Sequence, residues 1–186
     1  MTDFIVSDVH VPYQDHAAVK IVTRMAWHFK PQNIIINGDA IDNAQLSRFS
    51  HSPFEPESLK SDIEELCDII TDLQKYSNVI YIEGNHESRL QKYINEKAPD
   101  LHGLITMEKL INENLDTKIE YIHTVPSESM IEWRDDLLIG HFNIARKYCG
   151  YTAKALVERF QMSCVQGHTH RLGEYALRVK GRTLRG

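Results

Sequence analysis

The chain has 186 residues, of which 42% are hydrophobic and 25% charged, with a formal net charge of −5. It is long enough to bury a core without disulfide staples, and no apolar run approaches the roughly 18–20 residues that cross a bilayer as a helix, so neither a membrane-spanning helix nor a disulfide framework is expected. Three cysteines at unrelated spacings (Cys67, Cys149, Cys164) and an N-terminus without basic leader or apolar signal core lead to the expectation of one domain, residues 1–186, in the reducing cytoplasm.

Phe4-Ile5-Val6 predicts a buried strand ending at Ser7-Asp8. From Asp15 to Phe29 apolar residues recur with a helical period; Asp15 stands where an N-cap belongs, and Pro31 ends the run. Asn33 to Asn37 predicts a second buried strand, ending at Gly38-Asp39. Residues 43–56 read as loop or short helix, with Pro53 and Pro56 as breakers. Glu57 to Leu73 is an acidic amphipathic helix, Asn78 to Ile82 a third strand, and a helix is expected from about His86 to Glu96. This alternation predicts a parallel sheet with helices over both faces. Past residue 115 the character changes. Short strands are expected at Lys118–Ile122, Ser129–Trp133 and Leu137–Ile139, with a turn at Arg134-Asp135-Asp136. A helix at Thr152–Phe160, a strand at Met162–Val165 and an edge strand at Gly173–Val179, turning at Lys180-Gly181, complete a second sheet packed on the first.

Five short motifs fall where these strands end, which is where sites form in open α/β sheets. Asp8 and His10 alternate along an extended stretch, so both face one side. Gly38 permits a sharp turn that projects Asp39, whose two oxygens can bridge two ions as a histidine cannot. Asp42 either holds a ligand histidine in place or caps a local helix. Asn85 offers a neutral carbonyl ligand. His86 beside it points differently and suits a general acid or a phosphate donor, with Glu87 as a carboxylate for it to lean on. His141 follows an apolar run and a glycine, and His168 and His170 alternate after Gly167. Each motif alone reads most simply as a surface loop or a helix start; the joint placement of all five does not. His16, His28, His51, His102 and His123 lack this context and read as surface or helix residues, His51 and His123 standing closest to exceptions. A mixed N/O donor set without thiolate suits two divalent ions, Mn²⁺ first, with Fe, Zn, Ni or Co able to take the same donors.

In this order, Asp-x-His, Gly-Asp-x-x-Asp, Gly-Asn-His-Glu, Gly-His and Gly-His-x-His resemble the calcineurin-like metallophosphoesterase superfamily over residues 8–170. The resemblance implies a four-layer α/β/β/α sandwich of two mixed sheets flanked by helices. It also implies one metal held by Asp8, His10, Asp39 and His170, a second held by Asp39, Asn85, His141 and His168, and His86 as the catalytic histidine. One position departs from the phosphoprotein-phosphatase branch: its phosphate-gripping arginine is replaced here by Asn43. Arg89, Arg146 and Arg171 are the candidates to replace that arginine in space, binding substrate together with Asn85 and His86.

The compact chain, with no insertion large enough for a cap domain, looks like small bacterial or phage-type phosphoesterases and like the catalytic core of the double-strand-break nuclease group. The expected activity is hydrolysis of phosphodiesters or phosphomonoesters by a metal-activated water. The substrate is then a phosphorylated small molecule or a nucleic acid; no membrane partner and no oligomeric state are implied. A nuclease acting on DNA or RNA is the alternative. It rests on residues 134–186, where ten Lys/Arg stand against four Asp/Glu, while residues 1–133 hold eleven against twenty-two. Two solvated faces of different sign would give the same split. A non-catalytic scaffold of the same fold is a third reading, and the complete ligand set argues against it.

Overall fold

Four runs pair as one parallel sheet in the computed structural model: β1 (Asp3–Val6), β2 (Asn33–Asn37), β3 (Asn78–Ile82) and β4 (Glu120–Ile122), neighbours in that order. The described residues are 2–47, 58–123, 130–134, 136–148, 150–179 and 181–186. The expectations at His51, Pro53, Pro56, Glu57, Ser129, Asp135, Cys149 and Lys180 lie outside them.

β2 is buried at every position, as a central strand covered on both faces must be. Alternation divides its side chains. Ile34 and Ile36 join Val79 and Tyr81 of β3 in a cluster with Ile63, Leu66, Ile70 and Leu73 of α2 (Leu59–Gln74). Ile35, Ile80 and Ile82 face the other way, onto Ile139 and its neighbours. The first cluster also takes Val22 and Ala26 of α1 (His16–Phe29), Leu90 and Ile94 of α3 (Ser88–Lys97), and Met107 and Ile111 of α4 (Met107–Glu113). Leu66, Ile70 and Ile111 are almost wholly buried, and each such side chain contributes about 1.5–3 kcal/mol.

The helix ends are set locally. Asp15 accepts hydrogen bonds from the Ala17 and Ala18 amides, and Lys30, left-handed before Pro31, closes α1. Ser58 and Ser61 cap α2 reciprocally, so that helix begins at Leu59.

The second sheet is β5 (Met130–Trp133), antiparallel to β6 (Leu137–Gly140), which is parallel to β7 (Ser163–Gln166). The β6–β7 crossover is α5 (Tyr151–Phe160), whose Leu156 packs with Leu138, Phe142 and Cys164. A hairpin of β8 (Ala176–Val179) and β9 (Arg182–Arg185) turns at Gly181 and lies against α5 and β7. Three apolar clusters thus fill, in turn, helix to sheet, sheet to sheet, and sheet to helix: a mixed α/β architecture.

Three expectations need correction. The strand ending at Ile122 belongs to the first sheet, paired in parallel with β3, because Ile80, Tyr81 and Ile82 offer it an open edge. The edge strand expected to complete the second sheet instead pairs with β9 as a separate hairpin, and neither β9 nor α4 was foreseen. The helix after β3 starts at Ser88, since residues 85–87 turn instead to place Asn85 and His86. Among the described residues no helix is long and apolar enough to cross a membrane.

Candidate metal centre

The β1–β2 pairing continues beyond both strands. The amides of Asp8, His10 and Val11 donate to the carbonyls of Gly38, Asp39 and Ala40, and Asp42 donates back to Val11. This parallel run sets the Asp8-Val9-His10 loop beside the Gly38–Asp42 loop. Asp8, His10, Asp39, His168 and His170 all take left-handed backbone. They are five of the ten non-glycine residues that do so among the described residues. Each such residue costs about 1–3 kcal/mol, and such strain gathers at functional sites. Two glycines admit the close approaches. Gly38, itself left-handed, would drive a Cβ into the His141 ring at 2.6 Å, and a Cβ on Gly84 would collide with the Asp39 carboxylate and amide.

Ligand atoms converge in three overlapping groups: Asp8 with His10 and His170, His10 with Asp39 and His86, and Asp39 with His141 and His168. The members of each group lie within 4.8 Å of one another. Asp39 Oδ2 is 2.9 Å from His141 Nε2, which is also 3.2 Å from Asn85 Oδ1. His170 Nε2 is 3.2 Å from Asp8 Oδ1 and 3.1 Å from His10 Nε2. All seven residues expected as ligands are therefore brought together, and Asp8, His10, Asp39, His168 and His170, with Asp42 and His86, line a cavity of about 560 Å³.

The donors fit a divalent cation. His141 Nδ1 lies 2.9 Å from the Asn37 carbonyl, which can only accept, so Nδ1 carries the proton and Nε2 presents a lone pair. His10 Nδ1 lies 3.0 Å from Asp42 Oδ2 and is held in the same tautomer. Nε2 of His141 then faces the acceptor oxygens of Asp39 and Asn85, and Nε2 of His10 faces a second ring nitrogen. Acceptors set face to face need positive charge between them, either a proton on the ring or a metal ion, and imidazole, carboxylate and amide oxygen suit Mn²⁺, Fe or Zn²⁺.

The electrostatics agree. Burial opposes ionisation of Asp39, but the hydrogen bond and charge of His141, with His86 beside it, hold its carboxyl below the usual range. Burial likewise opposes ionisation of Asp42, and His10, His86 and Arg89 outweigh it, holding that carboxyl well down. Burial lowers the basicity of His86 and His141; the neighbouring aspartates more than restore it. His168 stays below its ordinary value through burial and the proximity of His141.

Asp42 takes the first of its two expected roles and more. Its Oδ2 orients both His10 and His86, the latter at 3.2 Å, while its carbonyl lies 2.9 Å from His86 Nδ1. Arg89 of α3 closes the group, with Nη1 donating to the Asp42 carbonyl at 2.8 Å and Nη2 standing 3.0 Å from His86 Nε2.

Glu87 is a correction. The carboxylate beside the His86 ring is Asp42, while Glu87 is buried and accepts from the amides of Asp39, Ala40, Ile41 and Gly84 and from the Tyr81 hydroxyl, at 2.7–3.3 Å. Burial and the Asp39 charge raise its pKa, but five donors leave no acceptor for an acid proton, so it serves as a carboxylate that pins two ligand loops together. Arg146 and Arg171 do not join Arg89 beside His86. They line a separate cavity of about 180 Å³ with Thr152, Gln166 and Thr169, and Arg171 Nη1 is engaged by the carbonyls of Arg146 and Lys147.

Sequence reasoning missed Asn37, which donates to the Gly140 carbonyl at 3.1 Å and so ties the two sheets together at the site. A buried asparagine closing a run of isoleucines was the available signal. Of the remaining histidines, His123 pairs with Glu108 at 2.8 Å and His102 with Asn95 at 2.7 Å, apart from the ligand groups. Cys67 and Cys164 are unpaired and lie inside apolar clusters, where burial pushes each thiol up to about 11.

A family model described as calcineurin-like phosphoesterase matches residues 3–172. The "Gene 54 protein" of Mycobacterium phage L5 is 23% identical over 192 residues, covering 91% of this chain and 69% of that protein. Among solved structures, a Vps29 single mutant from Entamoeba histolytica is 13% identical with a TM-score of 0.45, covering 100% of this chain and 72% of that one. TT1561 of Thermus thermophilus is 14% identical with a TM-score of 0.40, covering 88% and 65%.

Proposed function

The chain belongs to the calcineurin-like phosphoesterase family, and on that premise we propose that it hydrolyses phosphoester bonds at a binuclear centre and acts on phosphodiesters at least as well as on phosphomonoesters. The observation behind the binuclear reading is that Asp39 belongs both to the group with His10 and to the group with His141 and His168. One ion would be held by Asp8, His10, Asp39 and His170, and the other by Asp39, Asn85, His141 and His168. Divalent ions there, Mn²⁺ first, supply Lewis acidity toward phosphoryl oxygens and a nucleophile from water near neutral pH.

The chain's own residues do the rest. Asp42 and Asn37 fix the ligand tautomers of His10 and His141. Asp42 also holds His86 by Nδ1, and Nε2, which faces Arg89 Nη2, would hand a proton to the departing oxygen once the ring is protonated and Arg89 has turned to grip a phosphoryl oxygen. Asn43 is fully buried and donates to the His86 carbonyl at 2.9 Å, so it supports the loop rather than the substrate. The site therefore has Arg89 in place of the arginine missing at 43, and Arg89 is already committed in part to Asp42. A diester carries one negative charge and needs less cationic help than a monoester dianion. Two unpaired, buried cysteines support a reducing, cytoplasmic setting.

The test uses Mn²⁺-reconstituted protein. kcat/KM for bis-p-nitrophenyl phosphate should equal or exceed that for p-nitrophenyl phosphate, and Arg89→Ala should lower both. A strong monoester preference would reject the diesterase reading.

A further inference from the structure

The acidic balance of the molecule inverts on one side of the metal centre. From residue 137 to 173 there are five Lys/Arg and one acid, Glu158, which is paired with Lys154. Three of the cations gather on one ridge beside the loop that carries His168 and His170. Arg171 follows His170 directly, and its Nη1 donates to the Arg146 and Lys147 carbonyls at 3.1 and 3.0 Å, so the ligand loop and the 146–148 turn form one unit. The Nε and Nη2 hydrogens of Arg171 are left over for an anion. Both turn residues present their charges to solvent.

Two tyrosines stand on the same ridge. Tyr148 and Tyr151 are 55% and 56% exposed, and their rings meet edge to face with centroids 5.2 Å apart. The Lys147 ammonium lies 5.2 Å from the Tyr148 ring centroid. Large aromatic faces left in water next to unpaired cations are costly unless something covers them. A packed protein partner would want a contiguous apolar patch; two flat rings edged by guanidinium and ammonium groups suit flat π-faces joined by phosphates.

We propose that this ridge binds a single-stranded polynucleotide, its bases stacking on Tyr148 and Tyr151 and its phosphates held by Arg146, Lys147 and Arg171. The proposal deepens the phosphoesterase reading and rests on it: a strand held here lies against the loop that supplies two expected metal ligands, so the centre would act on an internal phosphodiester. The neighbouring cavity of about 180 Å³, walled by Arg146, Arg171, Thr152, Gln166 and Thr169, adjoins the same ridge and is roomy enough for one phosphate with its sugar.

The test is fluorescence anisotropy with the full-length Mn²⁺-loaded protein and labelled, cleavage-resistant twelve-nucleotide strands: phosphorothioate dT and 2′-O-methyl U, with a duplex for comparison. The wild type should bind a single strand more tightly than the duplex, and log affinity should fall with log salt at a slope of about −2, as three cations require. Whichever strand binds better identifies DNA or RNA. The double variant Tyr148→Ala/Tyr151→Ala should weaken binding at least about tenfold, and Tyr148→Phe/Tyr151→Phe should restore it. Lys147→Glu, at an exposed position, should weaken binding and flatten the salt slope even if the alanine pair does not fold. Absence of strand binding at low salt, unchanged affinity in these variants, or equal competition by a mononucleotide or by polyglutamate would overturn the proposal. Turnover of bis-p-nitrophenyl phosphate, read in parallel, separates the two layers. Turnover without strand binding defeats the ridge alone, and strand binding without turnover of any ester defeats the phosphoesterase reading alone.

Discussion

The two sides of the metal centre are built differently. On one side Asp39 and His141 are only 2% and 1% exposed, the Asp39 and Gly84 loops are pinned by Glu87 through four amides and a tyrosine hydroxyl, and His141 is held by the Asn37 carbonyl. On the other side His170 is 57% exposed, and its loop is steadied from outside by Arg171. The buried side is organised before any ion arrives, because moving a ligand there would orphan backbone donors in the core. The open side can adjust at little cost. The difference predicts two unequal ion sites joined by Asp39, and it suggests that substrate reaches the centre past His170.

The largest effect should come from the group that belongs to both sides. Asp39→Ala should release both ions and lower kcat by at least about 10³-fold, measured by elemental analysis alongside turnover. Full retention of one ion would break the idea of a shared carboxylate. Next comes His86→Ala, which should keep both ions and lose about 10²–10⁴ in kcat. If it shed metal as His168→Ala should, His86 would belong among the ligands. Asp42→Asn probes the positioning of His10 without touching an ion, and should weaken metal binding on the open side about 10–100-fold; equal weakening on both sides would blur the contrast. The smallest effect is on stability. Glu87→Gln keeps the shape but turns amide hydrogens toward backbone donors, and should cost about 1–3 kcal/mol in urea unfolding. A neutral outcome would show that the clamp does not organise the buried side.

Much of this contrast could be read from local sequence. β2 and β3 are runs of five with the hydrophobic pattern of central strands, and each ends in glycine plus a polar residue, so both the strand and the ligand after it were readable. The proposed metal set follows the same pattern, because each expected ligand lies within a few residues of a strand end. What escaped depends on long-range partners. Nothing in Glu120–Ile122 says which sheet it joins; only the free edge of β3 decides. Glu87 looked like a partner for its neighbour His86, yet its bonds reach amides 46 to 48 residues away. α4 has apolar residues at 107, 110 and 111 but is only seven residues long, too short for its period to stand out. Arg146 and Arg171 stand in the sequence as candidates to replace the missing arginine, but the carbonyls that engage Arg171 turn it to a different cavity, and only long-range contacts decide that.

The most direct test of the binuclear claim is calorimetric titration of Mn²⁺ into metal-stripped protein, with bound metal counted by elemental analysis. Two equivalents should bind with unequal affinity, His141→Ala removing the tighter step and His170→Ala the weaker. A single equivalent that survives Asp39→Asn would contradict the account.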